Sequence, residues 1–186
     1  MEGVKKMERI SIQEYKRNYF DNITPLPGEH HFVAVYLLPY FTKIPDYVNP
    51  DGTKNFCGDI GFNRSSKLFS LEVKLGKKSF KFSKNENNNW FVKKSKLKPD
   101  YLIALTSNYL FIIEWDTFSK IFIKRNKPKM ITDNHKNSKS ISEADLVEEL
   151  KKENKNKCIF CLSEENIEEK IKIRFDELNE ALKEKF

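Results

Sequence analysis

The sequence predicts a mixed α/β fold, with a central sheet flanked by helices and followed by a helical C-terminal arm. Three observations predict it. Residues 56–62 and 68–75 alternate apolar with polar side chains around Asn63-Arg64-Ser65-Ser66, the pattern of a β-hairpin. Tyr101 to Leu105 and Tyr109 to Ile113 are apolar runs of the length of buried strands. The segments on either side carry helical spacing behind capping residues.

Taken in order, Ser11 followed by Ile12, Glu14, Tyr15 and Tyr19 predicts a short capped helix. Pro27-Gly28-Glu29 opens a longer one, rich in Phe32, Val33, Tyr36 and Leu37, which Pro39 is expected to end or kink. Residues 45–54, with two Pro-Asp pairs and Asp51-Gly52, read as a turn-rich loop before the hairpin. A helix over 115–123, with Asp116 or Thr117 near its cap, follows the two buried strands. Residues 124–140 are almost devoid of apolar side chains and contain Pro128, so they read as an exposed loop. Ser142 and Ser163 then precede two helical segments, the second with Ile167, Ile171, Phe175, Leu178 and Leu182 on one stripe. That stripe is most simply the inner face of a packed helix, and a partner surface is the sharper alternative. Residues 158–162 add a short strand between them. The organisation expected is one domain, with a core over about 11–123, a polar loop over 124–140 and the arm over 141–186.

A chain of 186 residues with a formal charge of +7 is suited to a polyanionic partner, nucleic acid first. The charge is uneven: residues 141–186 hold thirteen acids and nine bases, leaving +11 upstream. With 13% aromatic residues, the chain is not a disordered acidic tail. No apolar run approaches the roughly 20 residues of a membrane span, and the first residues lack the apolar stretch of a signal peptide. With three cysteines and no disulfide-framework spacing, a reducing, cytoplasmic setting is expected. No phosphate-cradling glycine loop, nucleophile elbow or dinucleotide fingerprint is present.

The chemistry resides in the hairpin. Phosphodiester hydrolysis needs a divalent cation, and hard Mg²⁺ prefers carboxylate oxygens. Asp59 falls on the first strand, and Glu72 and Lys74 fall two apart on the second, where a period of two puts both on one face. Ile60, Leu71, Val73 and Leu75 then face the core. A lysine ammonium beside two acids can orient a nucleophilic water and offset charge on the attacked phosphate; whether it also takes a proton is left open. Glu29, near a helix N-terminus, is a fourth candidate, either a metal ligand or a residue favoured by the helix dipole. For Asp59, Glu72 and Lys74 the plain alternative is an exposed hairpin face with a salt bridge.

Asp59 with Glu72-Val73-Lys74 resembles the PD-(D/E)xK nuclease superfamily, over roughly residues 27–123. There a hairpin carries an Asp and a Glu-x-Lys, and a preceding helix often carries a further Glu. Gly58 stands where that motif has Pro. The other Pro-Asp pairs, at Asp46, Asp51 and Asp100, fit its spacing no better. The segments GEHHFVAVYLLPYF, CGDIGF and LEVKLGK are similar to the small catalytic subunits of heterodimeric type IIS restriction endonucleases. That resemblance implies a restriction-endonuclease-like sheet and an Mg²⁺ site of Asp59, Glu72 and Glu29, with Lys74 beside it. It also implies cutting of one DNA strand in complex with a large subunit that recognises DNA and nicks the other. A homodimeric junction resolvase or repair nuclease, and a catalytically silent DNA-binding subunit, are the alternatives.

Residues 77–98 hold eight Lys and one acid, Glu86, interleaved with Phe80, Phe82, Trp90 and Phe91. Lys77, Lys78, Lys81 and Lys84 are the candidate phosphate contacts, against the alternative of a merely solvated face. Cys158 and Cys161 have zinc-ligand spacing without a second pair, so a reduced, partly buried strand is expected.

Overall fold

The computed structural model describes residues 10–21, 32–41, 47–48, 60–64, 67–92, 98–132 and 138–185. The candidates Asp59 and Glu29 lie outside them, as do Asp46, Asp51, Cys57, His30, His31 and His135.

Helix α1 (Ile12–Lys16) starts where Ser11 accepts a hydrogen bond from the Glu14 amide, and a wide π turn, Arg17–Asp21, continues it. Helix α2 comprises the π turn Val33–Leu37 and the α turn Leu38–Phe41. It runs through Pro39 instead of ending there, and the widened turn ends two residues before that proline, which cannot donate. Strands follow: β1 (Tyr47–Val48), β2 (Ile60–Arg64), β3 (Lys67–Leu75) and β4 (Ser79–Phe82). Then come helix α3 (Lys84–Glu86) with its π extension Asn87–Val92, strands β5 (Tyr101–Leu105) and β6 (Tyr109–Glu114), and helix α4 (Trp115–Thr132). Strand β7 (Lys139–Ser142), helix α5 (Glu143–Lys152), strand β8 (Ile159–Cys161) and helix α6 (Ile167–Lys185) complete the chain.

The fold is mixed α/β. One six-stranded sheet has the order β1-β2-β3-β5-β6-β8, and β4 pairs with β7 in a separate ribbon. β2 and β3 form the expected hairpin, and Asn63 and Arg64, given to its turn by the sequence reading, belong to β2 opposite Leu68 and Lys67. β3 and β5 run parallel, Glu72 opposite Leu102 and Lys74 opposite Ala104, and the remaining pairs are antiparallel.

Each face of the sheet is covered by its own apolar layer. On one side Leu71, Val73, Ile103, Leu105, Leu110 and Ile112 pack against α1, α2 and α6. On the other, Leu102, Ala104, Phe111 and Ile113 meet Phe80 and Phe82 of β4, Phe91, and side chains of α4 and α5. β3 places Leu71 and Val73 in the first layer, as its alternation predicts.

Two expectations for the C-terminal half change. Residues 124–132, read as loop, continue helix α4. Three of its polar side chains are held by neighbours: Lys124 donates to Glu149 at 2.9 Å, Arg125 pairs with Asp145, Glu148 and Glu149, and the Asn126 amide donates to the Ser140 carbonyl. The acidity of the C-terminal part is therefore partly matched by the basic end of α4. The hydrogen bond from Lys124 holds the Glu149 carboxyl below the usual carboxylate range. Second, the last helix begins at Ile167, four residues beyond Ser163. The stripe of the last helix is an inner face, as expected: Ile167, Ile171, Phe175 and Leu178 are buried in the first layer, and β8 extends the sheet beside it. Phe175 stacks on Tyr40 at 4.2 Å, Asn179 donates to the Tyr40 carbonyl, and Glu168 accepts from the Ile12 amide and the Tyr36 hydroxyl. No helix among the described residues is long and apolar enough to cross a membrane.

The β3–β4 turn is tight. Gly76 donates to the Leu105 carbonyl at 3.1 Å, and a Cβ there would lie 1.7 Å from the Ser79 carbonyl oxygen. Because the obstruction is backbone, Gly76→Ala is expected to cost about 3 kcal/mol, read as a lowered midpoint in urea. An unchanged midpoint would mean that this turn opens freely.

Candidate active site

Glu72 and Lys74 lie on the sheet face where the neighbouring strand carries Leu102 and Ala104. Polar side chains at positions that the pattern of the layer assigns to apolar residues are costly unless paired. They are paired. Both are buried, Glu72 at 5% and Lys74 at 9% exposure, and the Lys74 ammonium is 3.5 Å from Glu72 Oε1. The plain alternative of an exposed salt-bridged face is therefore corrected: β4 and α3 pack over this side of β3.

A third member comes from α3. Glu86 presents both carboxylate oxygens to Lys74 Nζ, each at 3.1 Å. It is held there by a capping box: Glu86 Oε1 accepts from the Ser83 amide at 2.8 Å, and Ser83 Oγ accepts from the Glu86 amide at 3.2 Å. Phe82 closes another side, with its ring centroid 4.6 Å from Lys74 Nζ. Reading the sequence singled Glu86 out only as the one acid in a basic run. The Ser83-x-x-Glu86 spacing was the signal that would have placed its side chain at a helix start.

The candidates for phosphate contact divide from the aromatics beside them. Lys77, Lys78, Lys81 and Lys84 are all exposed, while Phe80, Phe82 and Phe91 are buried in the second layer. The aromatic interleaving is thus a core pattern. Lys77 and Lys78 sit on a braced turn, because the Lys77 carbonyl accepts from the Ser107 amide and the Lys78 carbonyl from the Glu143 amide. Glu143 in turn accepts from Thr106 and Asn108, joining that turn to the one between β5 and β6. Lys98 pairs with Asp116 at 3.1 Å.

No family model, curated protein or solved structure matches the chain. The chemistry of the site therefore has to be argued from its own residues.

Asp100, the competing Pro-Asp acid, is engaged structurally: its carboxylate accepts from the Ser70 amide at 2.8 Å and its own amide donates to the Ser70 carbonyl. It thus ties the start of β5 to β3. Cys158 and Cys161 are both free thiols. Burial pushes the Cys158 thiol up, while the Cys161 sulfur lies 3.2 Å from the Ser163 hydroxyl. Among the described residues no group of three or more His, Cys, Asp or Glu gathers into a metal cage. Of the acids proposed for the metal, Glu72 alone is described, and Asp59 and Glu29 complete the set only in sequence.

Proposed function

We propose that the chain is an Mg²⁺-dependent DNA endonuclease, the catalytic small subunit of a heterodimeric type IIS restriction enzyme that cuts one strand when joined to a large DNA-recognising, nicking subunit. The observation that carries this reading is the buried Glu72–Lys74 pair, a carboxylate and an ammonium 3.5 Å apart on one strand of the sheet. Charged groups kept inside an apolar layer are a recurrent mark of functional sites. The hairpin, the helix before it and the two strands after it stand in the order that the nuclease resemblance implies.

The donor set suits Mg²⁺, which is commonly held by one or two carboxylates together with substrate phosphate and water. Glu72 would hold it with Asp59, whose covalent neighbour Ile60 is registered opposite Leu71, and with Glu29 as an accessory acid. When bound, the ion supplies charge neutralisation and a more acidic water. Lys74 offsets negative charge on the attacked phosphate and orients the water. Lys77, Lys78, Lys81 and Lys84 hold backbone phosphates without reading bases. A single site attacks one strand at a time, so a double-strand break calls for a second site, which the large subunit supplies. A cytoplasmic location, beside the DNA, belongs to the same reading.

The test is cleavage of one plasmid by the chain, by any large subunit isolated with it from its source cell and by their mixture, in Mg²⁺. Specific cutting by the mixture alone is the expected result. Efficient specific double-strand cutting by the chain alone would move the reading to a homodimeric nuclease, selective cutting of four-way junctions to a resolvase. No cleavage under any pairing would leave a silent DNA-binding subunit.

DNA binding by the chain itself should be weak and steeply salt-dependent. Changing Lys77, Lys78, Lys81 and Lys84 together to Ala should flatten the slope of log affinity against log salt by about 0.9 for each phosphate that is no longer neutralised. The melting temperature should hardly change, since all four are exposed. An unaltered slope would remove these lysines from the DNA surface.

A further inference from the structure

We infer that Glu86 is a positioning residue: anchored by its capping box, its carboxylate holds the Lys74 ammonium in place, so that Glu72 can serve a divalent cation. The inference rests on the nuclease reading for what Lys74 and Glu72 do, and on geometry alone for the contact itself.

Among the described residues two carboxylates meet Lys74, and they are held differently. Glu72 sits on the same strand, with one oxygen at 3.5 Å. Glu86 sits on another element, with both oxygens at 3.1 Å, and its Oε1 is also fixed by the Ser83 amide. The capping box sets the Glu86 carboxylate by local backbone geometry, independently of Lys74. If Glu72 turns toward a cation, the Glu86 contact remains, and the ammonium keeps its place over the Phe82 ring. The division of labour is therefore one acid for the cation and one for the lysine. Outer partners of this kind typically alter function by about ten- to a hundredfold when removed.

Glu86→Gln is the informative variant, because Gln still completes a capping box but loses the charge and one acceptor oxygen. The full chain, as wild type, Glu86→Gln and Glu72→Gln, would be compared in two measurements beside melting temperature. The first is the rate of Lys74 reductive methylation by formaldehyde and cyanoborohydride, read by peptide mass spectrometry. A nitrogen held against two carboxylates and beside the Phe82 ring is shielded from the reagent, so the rate reads how firmly it is clamped. The second is Mn²⁺ affinity by calorimetry. Glu86→Gln should raise Lys74 methylation severalfold at a nearly unchanged melting temperature and weaken Mn²⁺ binding only slightly, because the released ammonium then competes for Glu72, while Glu72→Gln, which removes a ligand, weakens it much more. Where the wild type cleaves, Glu86→Gln should lower kcat by about tenfold with KM unchanged. Unchanged Lys74 methylation would overturn the proposal even in a chain that cleaves. So would a loss of Mn²⁺ affinity equal to that of Glu72→Gln, which would make Glu86 a ligand. Absence of cleavage by wild type, with and without its partner, would instead defeat the nuclease reading while the methylation result stood.

Discussion

Glu72→Gln and Lys74→Met should each lower Mg²⁺-dependent cleavage by at least about a hundredfold, the scale of removing one preorganised electrostatic group from an active site. Near-isosteric variants are needed because the pair is buried. Alanine at either position would strand a charge inside the apolar layer, which typically costs about 3–5 kcal/mol. Glu72→Ala and Lys74→Ala should therefore lose stability as well as activity, and their loss of cleavage alone would prove nothing. The double variant Glu72→Gln/Lys74→Met should melt above either single one and remain inactive, because charges kept for function are paid for in stability. Plasmid nicking by the reconstituted pair of subunits, beside a thermal melt of each variant, checks both halves. Near-wild-type cleavage by Glu72→Gln or Lys74→Met would sink the site assignment. Glu29→Gln should cost less than either.

Phe82→Ala should give the largest loss of stability. Phe82 is fully buried, its ring centroid within 6.2 Å of those of Phe80, Trp90, Phe91, Trp115, Phe118 and Phe122. It thus joins β4, the extension of α3 and helix α4, and its ring also supports the Lys74 ammonium. Truncating such a residue costs about 3–5 kcal/mol. For a chain of this size that corresponds to roughly a 10 °C fall in Tm. Lys74 should then lose its floor, so cleavage should drop further than the remaining folded fraction explains. A Tm shift under about 2 °C would show that the cluster carries little of the core.

Much of this architecture was legible in the chain. The alternation in β3, the short apolar runs of β5 and β6, and the Ser11 and Ser142 caps encode local geometry, and the structure has each of them. The shared face of Glu72 and Lys74 followed from the period of two. Where the sequence misled, a distant partner decided. Lys139–Ser142 has a single strongly apolar residue, Ile141, and becomes a strand by pairing with Ser79–Phe82 nearly sixty residues upstream. Residues 124–132 look like a loop because their polar side chains and Pro128 show no apolar stripe, yet Lys124, Arg125 and Asn126 find partners on α5 and β7. Burial of Glu72 and Lys74 was invisible for the same reason: it depends on β4 and α3 folding over β3, and on Gly76 allowing that close return.

By itself, then, the sequence determined the elements whose signals lie within one turn or one strand: caps, alternation, and the placing of Glu72 beside Lys74. Only the tertiary structure decided that this pair is enclosed and that Glu86 joins it, because burial and pairing belong to whatever packs on a segment and not to the segment.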